Sequence, residues 1–253
     1  MNHITLISDW QLNEPYVAML KGRIVSQIPD VQLFDLTHSI DVLNVNKTAF
    51  LLKSAYSSFP EGTVHLILTG VSDSMPQNPL VMQQNGHFFI GIDNGIIPLM
   101  FSDEIDGRIR VFTQEEGGLL SKMISLARIC LFDNWETQTE LYPNPKRKLP
   151  FSADYFQNRN VLNGMVVYID EQSNVLTNIP VEMFRKYVNL NNFRARIGTT
   201  VVTKYHERYV EDDEPYFLPN SLGVMEIAVY SGRLAILARW QKDTSVEIEC
   251  DVK

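Results

Sequence analysis

The chain is predicted to fold as an α/β N-terminal domain with a mostly parallel sheet, followed by a smaller C-terminal all-β, barrel-like domain. Three observations predict this. In the first half, short apolar runs alternate with longer segments whose apolar residues recur at helical spacing, the pattern of strands joined by crossover helices. Between Tyr142 and Asn160, Pro143, Pro145 and Pro150 interrupt any regular element. Beyond that stretch, short apolar runs follow one another with turns between them, which suits a small antiparallel barrel or sandwich. The boundaries that follow are 1–142 for the first domain, 143–160 for a linker and 161–253 for the second.

Taken in order, Ile4–Ser8 reads as the first strand. Pro15–Gln27 follows with Val17, Leu20, Ile24 and Ile28 on one helical face. Val31–Leu36 is a second strand. Val45–Phe59 is the clearest helix, because Val45, Ala49, Leu52, Tyr56 and Phe59 share a face, and Phe59-Pro60-Glu61-Gly62 ends it. Val64–Leu68 and His87–Ile92 are buried-type strands, the latter stopped by Asp93-Asn94-Gly95. Leu119–Phe132 is a further helix, with Cys130 on its apolar side as a small core hydrophobe. In the second half the strands are Gly164–Asp170, Val175–Asn178, Phe193–Ile197, Thr200–Lys204, Val224–Val229 and Leu234–Ala238. One helix, Val181–Val188, starts behind Pro180.

Composition excludes several roles. With 22 Lys and Arg against 30 Asp and Glu, the formal net charge is -8. A phosphate backbone selects for basic patches, and the longest basic run, Lys146-Arg147-Lys148, reads first as a solvated linker cluster. No apolar run approaches the roughly 20 residues of a membrane span, and the opening MNHITLISDWQLNEP lacks the pattern of a secretory signal. The two cysteines, Cys130 and Cys250, are far apart and form no metal-ligand cluster. A cytoplasmic setting, with no nucleic-acid or membrane partner and no metal, is the expectation.

Six segments, in order, carry a resemblance along nearly the whole chain. They are Ile4-Thr5-Leu6-Ile7-Ser8-Asp9-Trp10 with Glu14-Pro15-Tyr16 and Lys21-Gly22; Asp35-Leu36-Thr37-His38-Ser39-Ile40; Ala49-Phe50-Leu51-Leu52 through Phe59-Pro60-Glu61-Gly62-Thr63-Val64-His65; Gly91-Ile92-Asp93-Asn94-Gly95-Ile96; Ile169-Asp170 with Asn174 and Thr177-Asn178-Ile179; and Asn220-Ser221-Leu222-Gly223-Val224-Met225-Glu226-Ile227-Ala228. The chain resembles the S-adenosyl-L-methionine (SAM) hydroxide adenosyltransferase family, whose relatives include fluorinase and chlorinase. The resemblance implies an α/β domain joined to a β-barrel domain, a homotrimer, and a nucleoside site between the N-terminal domain of one subunit and the C-terminal domain of the next.

It also implies roles for particular residues, each beside a plainer reading. Asp9 matches a carboxylate that accepts hydrogen bonds from both ribose hydroxyls; read from position alone, it caps the following loop or helix. Asp170 matches a carboxylate for the methionyl ammonium, and Asn174 a residue for the adenine edge, where an amide offers a donor and an acceptor on one face. The same segment also reads as a hairpin loop. Ser221 matches a residue that holds the methionine carboxylate, or is a loop hydroxyl bonding its own backbone. His38 is equally a family residue or a satisfied histidine at a strand end.

Other family positions are replaced. Family hydrolases carry Asp-Pro-Gly-Val-Gly followed by Arg, which with a later His position and activate a water for attack on the ribose 5′ carbon. Counted from Val64-His65, the Asp position is Gly70 and the Arg position is Gln77, and no histidine occurs between His87 and His206. In the halide-using relatives the aromatic position is again Gly70, and the Trp of fluorinase reads Leu43. The aromatic that stacks on adenine is replaced by Gln172-Ser173. Asp73 is the one substitute carboxylate in the loop, or else a solvated turn residue. The expectation is a divergent member that binds SAM or an adenine nucleoside with its catalytic triad lost. The alternatives are an active SAM hydrolase giving adenosine and L-methionine through altered residues, and a noncatalytic trimeric scaffold. No cofactor is implied, SAM being substrate or ligand.

Overall fold

The computed structural model describes residues 1–12, 14–101, 105–113, 117–147, 153–169, 173–230, 240–241 and 243–251. The chain forms two compact units, residues 1–150 and 151–253. In chain order the first contains β1 (Asn2–Ile7), α1 (Tyr16–Gln27), β2 (Val31–Thr37), α2 (Val45–Ala55), β3 (Val64–Ile67), β4 (Leu80–Gln84), β5 (His87–Gly91), α3 (Ile96–Met100), β6 (Arg110–Val111), α4 (Leu119–Phe132) and β7 (Glu140–Leu141).

Successive side chains of a strand point to opposite faces, and here both faces are covered. Ile4 and Leu6 of β1, Val64 and Leu66 of β3, and Phe88 and Ile90 of β5 pack with Leu20 and Ile24 of α1 and Met123, Leu126 and Ala127 of α4. Ile7, Ile67 and Phe89 face the other layer, against Val45, Ala49 and Leu52 of α2 and Ile96 and Met100 of α3. Burial on both faces is why these strands read as continuous apolar runs. Each large side chain so buried contributes roughly 1.5–3 kcal/mol.

The sheet order among the described residues is β2-β1-β3-β5-β4-β6-β7. β1 pairs in parallel with β2 and β3, and β3 with β5. The pairs β4·β5, β4·β6 and β6·β7 are antiparallel. The sheet is therefore mixed, not mostly parallel as the sequence predicts. The cause is local: Gln84 pairs with His87 across a two-residue turn, Asn85-Gly86, whose φ angles of 51° and 77° are both positive. That is the tight hairpin geometry, and it forces antiparallel pairing. The crossovers through α1 and α2 cover opposite faces, so the strand order reverses at β1. In such sheets the carboxyl ends beside the reversal form a crevice suited to ligands.

The second unit contains β8 (Asp154–Phe156), β9 (Val161–Ile169), β10 (Val175–Pro180), α5 (Val181–Tyr187), β11 (Arg194–Ile197), β12 (Thr200–Val202), β13 (Lys204–Tyr205), β14 (Tyr216–Pro219), β15 (Val224–Ala228) and β16 (Ser245–Glu249). Its strands form a nearly closed, barrel-like sheet in the order β12-β11-β16-β9-β10-β15-β14-β13, with β8 on β9. Phe184 of α5 fills the interior, its ring 5.2 Å from Phe217 and 5.7 Å from Phe193. The predicted strand Thr200–Lys204 is broken into β12 and β13, which lie at opposite ends of the sheet order. β8 falls within the proline-interrupted stretch, and the predicted strand Leu234–Ala238 lies outside the described residues. No helix among the described residues is long and apolar enough to cross a membrane.

Candidate functional site

Asp9 lies two residues beyond the end of β1, at the carboxyl edge of the sheet and at the strand-order reversal. Its Oδ2 accepts two backbone hydrogen bonds, from Leu43 N at 3.0 Å and from Gly70 N at 3.0 Å. Those donors come from the loop before α2 and the loop after β3. Oδ1 accepts no hydrogen bond from a described residue. A carboxylate has about four acceptor positions; the two on Oδ2 fix the group, and those on Oδ1 are taken by no described residue.

Neighbouring contacts hold this shelf together. Trp10 Nε1 donates to Val71 O at 3.1 Å, and Asn94 Nδ2 donates to Thr69 O at 2.9 Å. Ser8 Oγ lies 2.6 Å from His38 Nδ1, and His38 Nε2 lies 3.1 Å from Asp35 Oδ1. Asp35 is held below its usual carboxylate range: burial raises it, but the hydrogen bonds from Lys21 and His38 outweigh that. Ser8 and His38 are buried, so this chain of contacts braces the turn that carries Asp9.

Gly70, the position matched to the family's Asp, has φ of +71°, and a β-carbon there would stand 2.7 Å from Leu43 Cδ2. Leu43 itself has φ of 59° and is exposed. Gly70 and Leu43 thus face each other beside Asp9. Asp73 is engaged elsewhere. Its Oδ1 accepts from Leu120 N at 2.9 Å at the start of α4, and its Oδ2 is 3.3 Å from Arg23 Nη1 of α1. Gly118, the residue at the helix cap, has no side chain to do this.

In the second unit, Asn174 precedes β10 and is buried. It lines a cavity of about 300 Å3 together with Tyr209, Val210, Glu211, Tyr216, Val229 and Tyr230. Tyr216 hydroxyl donates to Val210 O at 3.1 Å and accepts from Val210 N at 3.2 Å, fixing one wall. Tyr209 hydroxyl donates to Glu226 Oε1, and Asn220 Nδ2 donates to Glu226 Oε2. Ser221 stands exposed on the turn between β14 and β15, where its hydroxyl bonds no described residue, and it does not line the cavity. Asp170, Glu171 and Gln172 lie outside the described residues. No three His, Cys, Asp or Glu side chains among the described residues gather to hold a metal ion.

The tyrosine-lined cavity and the backbone donors to Asp9 are not foreseeable from sequence. Backbone N–H groups leave no mark in residue identity. The tyrosines are separated by up to 21 positions, with no periodicity linking them.

Residues 4–125 match the SAM hydroxide adenosyltransferase N-terminal domain, and residues 164–247 match the C-terminal domain of the same family. The chain belongs to this family. Among curated proteins, the (R)-S-adenosyl-L-methionine hydrolase of Methanocaldococcus jannaschii is 24% identical over 244 residues, covering 90% of this chain and 88% of the relative. The protein of the same name from Thermus thermophilus is 28% identical over 100 residues, 39% of this chain and 38% of the relative. Among solved structures, an uncharacterized conserved protein from Thermotoga maritima superposes with a TM-score of 0.83 at 23% identity, covering 97% of this chain and 99% of the other. A conserved hypothetical protein from Thermus thermophilus gives 0.74 at 21% identity, over 98% and 100% of the two chains. For this SAM hydroxide adenosyltransferase family member, the solved structures speak to the fold alone.

Proposed function

We propose that this family member binds SAM or an adenine nucleoside and does not prepare a water for attack on it. In the expected homotrimer, Asp9 of one subunit takes the ribose hydroxyls through Oδ1, while in the next subunit Asn174 meets the adenine edge and Ser221 and Asp170 serve the methionyl end. The observation that carries the reading is the anchoring of Asp9 Oδ2 by Leu43 N and Gly70 N, which leaves Oδ1 without a described hydrogen-bond donor. General-base catalysis needs an ionisable group within hydrogen-bond reach of the water. At the family's Asp position there is Gly70, and the Asp73 carboxylate is committed to Leu120 N and Arg23. The homotrimer expected of the family belongs to the same proposal. Leu12, Tyr16, Met19, Val42 and Leu43 are exposed apolar side chains that assembly would cover, and sedimentation gives the mass directly.

The experiment is calorimetric titration with SAM and adenosine, run beside chromatography for adenosine and L-methionine. Saturable binding that is lost in Asp9→Ala, with no product above that variant, is the expected result. Absence of binding to either compound defeats the proposal. The second reading, SAM hydrolysis, is favoured by the two relatives named as hydrolases. Product above the Asp9→Ala control would establish it in place of binding alone.

A further inference from the structure

We infer that Asn94 is a positioning residue for the Asp9 carboxylate: it holds the peptide between Thr69 and Gly70 in the orientation that delivers the Gly70 N–H to Asp9. This deepens the nucleoside reading above and rests on it. Val71 N donates to Leu68 O at 3.2 Å, so residues 68–71 form a β-turn at the end of β3. Gly70, third in that turn, has φ of +71°, whereas Thr69 before it has no positive φ. That combination is a type II turn, and a type I turn has negative φ at both positions. The two types differ in which way their central peptide points. A flip from one to the other would carry the Gly70 N–H away from Asp9, and glycine, which takes either sign of φ, resists the flip least.

Asn94 opposes that flip. Its Nδ2 donates to Thr69 O at 2.9 Å, while Gly70 N donates to Asp9 Oδ2 at 3.0 Å. The carbonyl and the N–H belong to one planar trans peptide and point in opposite directions, so a bond that fixes the first aims the second. Asn94 Oδ1 meanwhile accepts from Ile96 N at 3.2 Å. One partner is a carbonyl and the other an N–H, so the amide serves both in a single orientation. The Thr69 side chain is pinned as well. The Thr48 hydroxyl donates to Asn44 O at 2.9 Å, so in its 2.8 Å contact with the Thr69 hydroxyl the proton comes from Thr69. Both threonines are buried. Leu43, the other donor to Asp9, immediately precedes Asn44, so this hydroxyl bridge also ties together the two loops that meet on the carboxylate.

The test compares wild type with Asn94→Asp and Asn94→Ala. The aspartate keeps an acceptor for Ile96 N but has no N–H for Thr69 O, and the alanine loses both. Amide hydrogen exchange followed by NMR should show the Gly70 N–H protected in wild type and exchanging at least about tenfold faster in both variants. In calorimetric titrations with adenosine and 2′,3′-dideoxyadenosine, the wild-type preference for the ribose hydroxyls should shrink about threefold or more in both variants. A role confined to the turn before α3 would instead leave Asn94→Asp like wild type in both measurements and damage Asn94→Ala alone. Should Asn94→Ala not fold, the near-isosteric Asn94→Asp carries both measurements. Wild-type exchange at Gly70, or an undiminished preference, in Asn94→Asp overturns the inference and leaves the nucleoside reading standing. Wild type that binds neither compound, or both alike, overturns the nucleoside reading and this inference with it.

Discussion

Leu43 Cδ2 stands 2.7 Å from the point a β-carbon on Gly70 would occupy, and Leu43 N and Gly70 N donate to the same oxygen of Asp9. The backbones meet on the carboxylate and the leucine side chain fills the space a larger residue 70 would need. These two positions are therefore coupled.

Gly70→Ala should lower stability by about 1–2 kcal/mol, from its left-handed φ alone, with a further cost from the Leu43 contact. In a Leu43→Ala background the second part disappears. Urea unfolding of the four proteins in this cycle should give a coupling of about 0.5 kcal/mol or more. Strict additivity would show that the two side chains do not share the space.

Asp73 acts across a long sequence separation as the cap of α4. Asp73→Ala should cost about 0.5–2 kcal/mol in thermal or urea unfolding, as loss of a helix cap does. Asp73→Asn, which keeps the acceptor for Leu120 N, should cost less. Adenosine affinity should be unchanged in both. If Asp73→Ala instead removed ligand binding or a product-forming activity at undiminished stability, the capping role would be wrong.

Acid should destabilise the first unit through a buried histidine pair. His65 Nε2 lies 3.2 Å from His87 Nδ1, and Thr5 Oγ1 lies 2.7 Å from His65 Nδ1. Phe89 stacks on His65 at 4.9 Å. Burial, helped by His87, pushes His65 down to about 3, and burial also lowers His87 against the pull of Glu61. The unfolded chain takes up protons at these rings near pH 6.5, whereas the folded chain does not. Stability is thus unaffected above that pH and falls as pH drops from about 6.5 towards 3. Between pH 7.5 and 4.5 the His65 share is on the order of 2–3 kcal/mol. Urea unfolding at the two pH values should show this loss in wild type and a shallower one in His65→Leu. Equal losses would mean that His65 is protonated in the folded state.

The strands and helices around the first core are legible in the sequence because both faces of β1, β3 and β5 are buried, leaving unbroken apolar runs, and α4 spans the predicted Leu119–Phe132. β5 is predicted as His87–Ile92, but its hairpin partner β4 is absent from the predicted elements, although Asn85-Gly86 between Leu80–Gln84 and His87–Gly91 is a strong turn signal. Without it the sheet looks mostly parallel. β6 and β7 have two residues each, too few to carry a pattern. In the site, Asp9 is legible as the residue that follows a buried strand. Its fixation is not, because it depends on main-chain donors from two remote loops. The tyrosine cavity is hidden for a related reason. Tyr209 lies in a strongly charged stretch, His206 to Glu214, that reads as solvated loop.

The central claim is that Asp9 Oδ1 receives the hydroxyls of a ribose, and a comparison of adenosine with 2′,3′-dideoxyadenosine tests it most directly. Calorimetry on wild type should show the dideoxy compound binding at least about tenfold more weakly, the value of a hydrogen bond to a charged acceptor. In Asp9→Ala the two compounds should bind alike. Equal affinity for both in wild type, or a preference that survives in Asp9→Ala, would contradict the account.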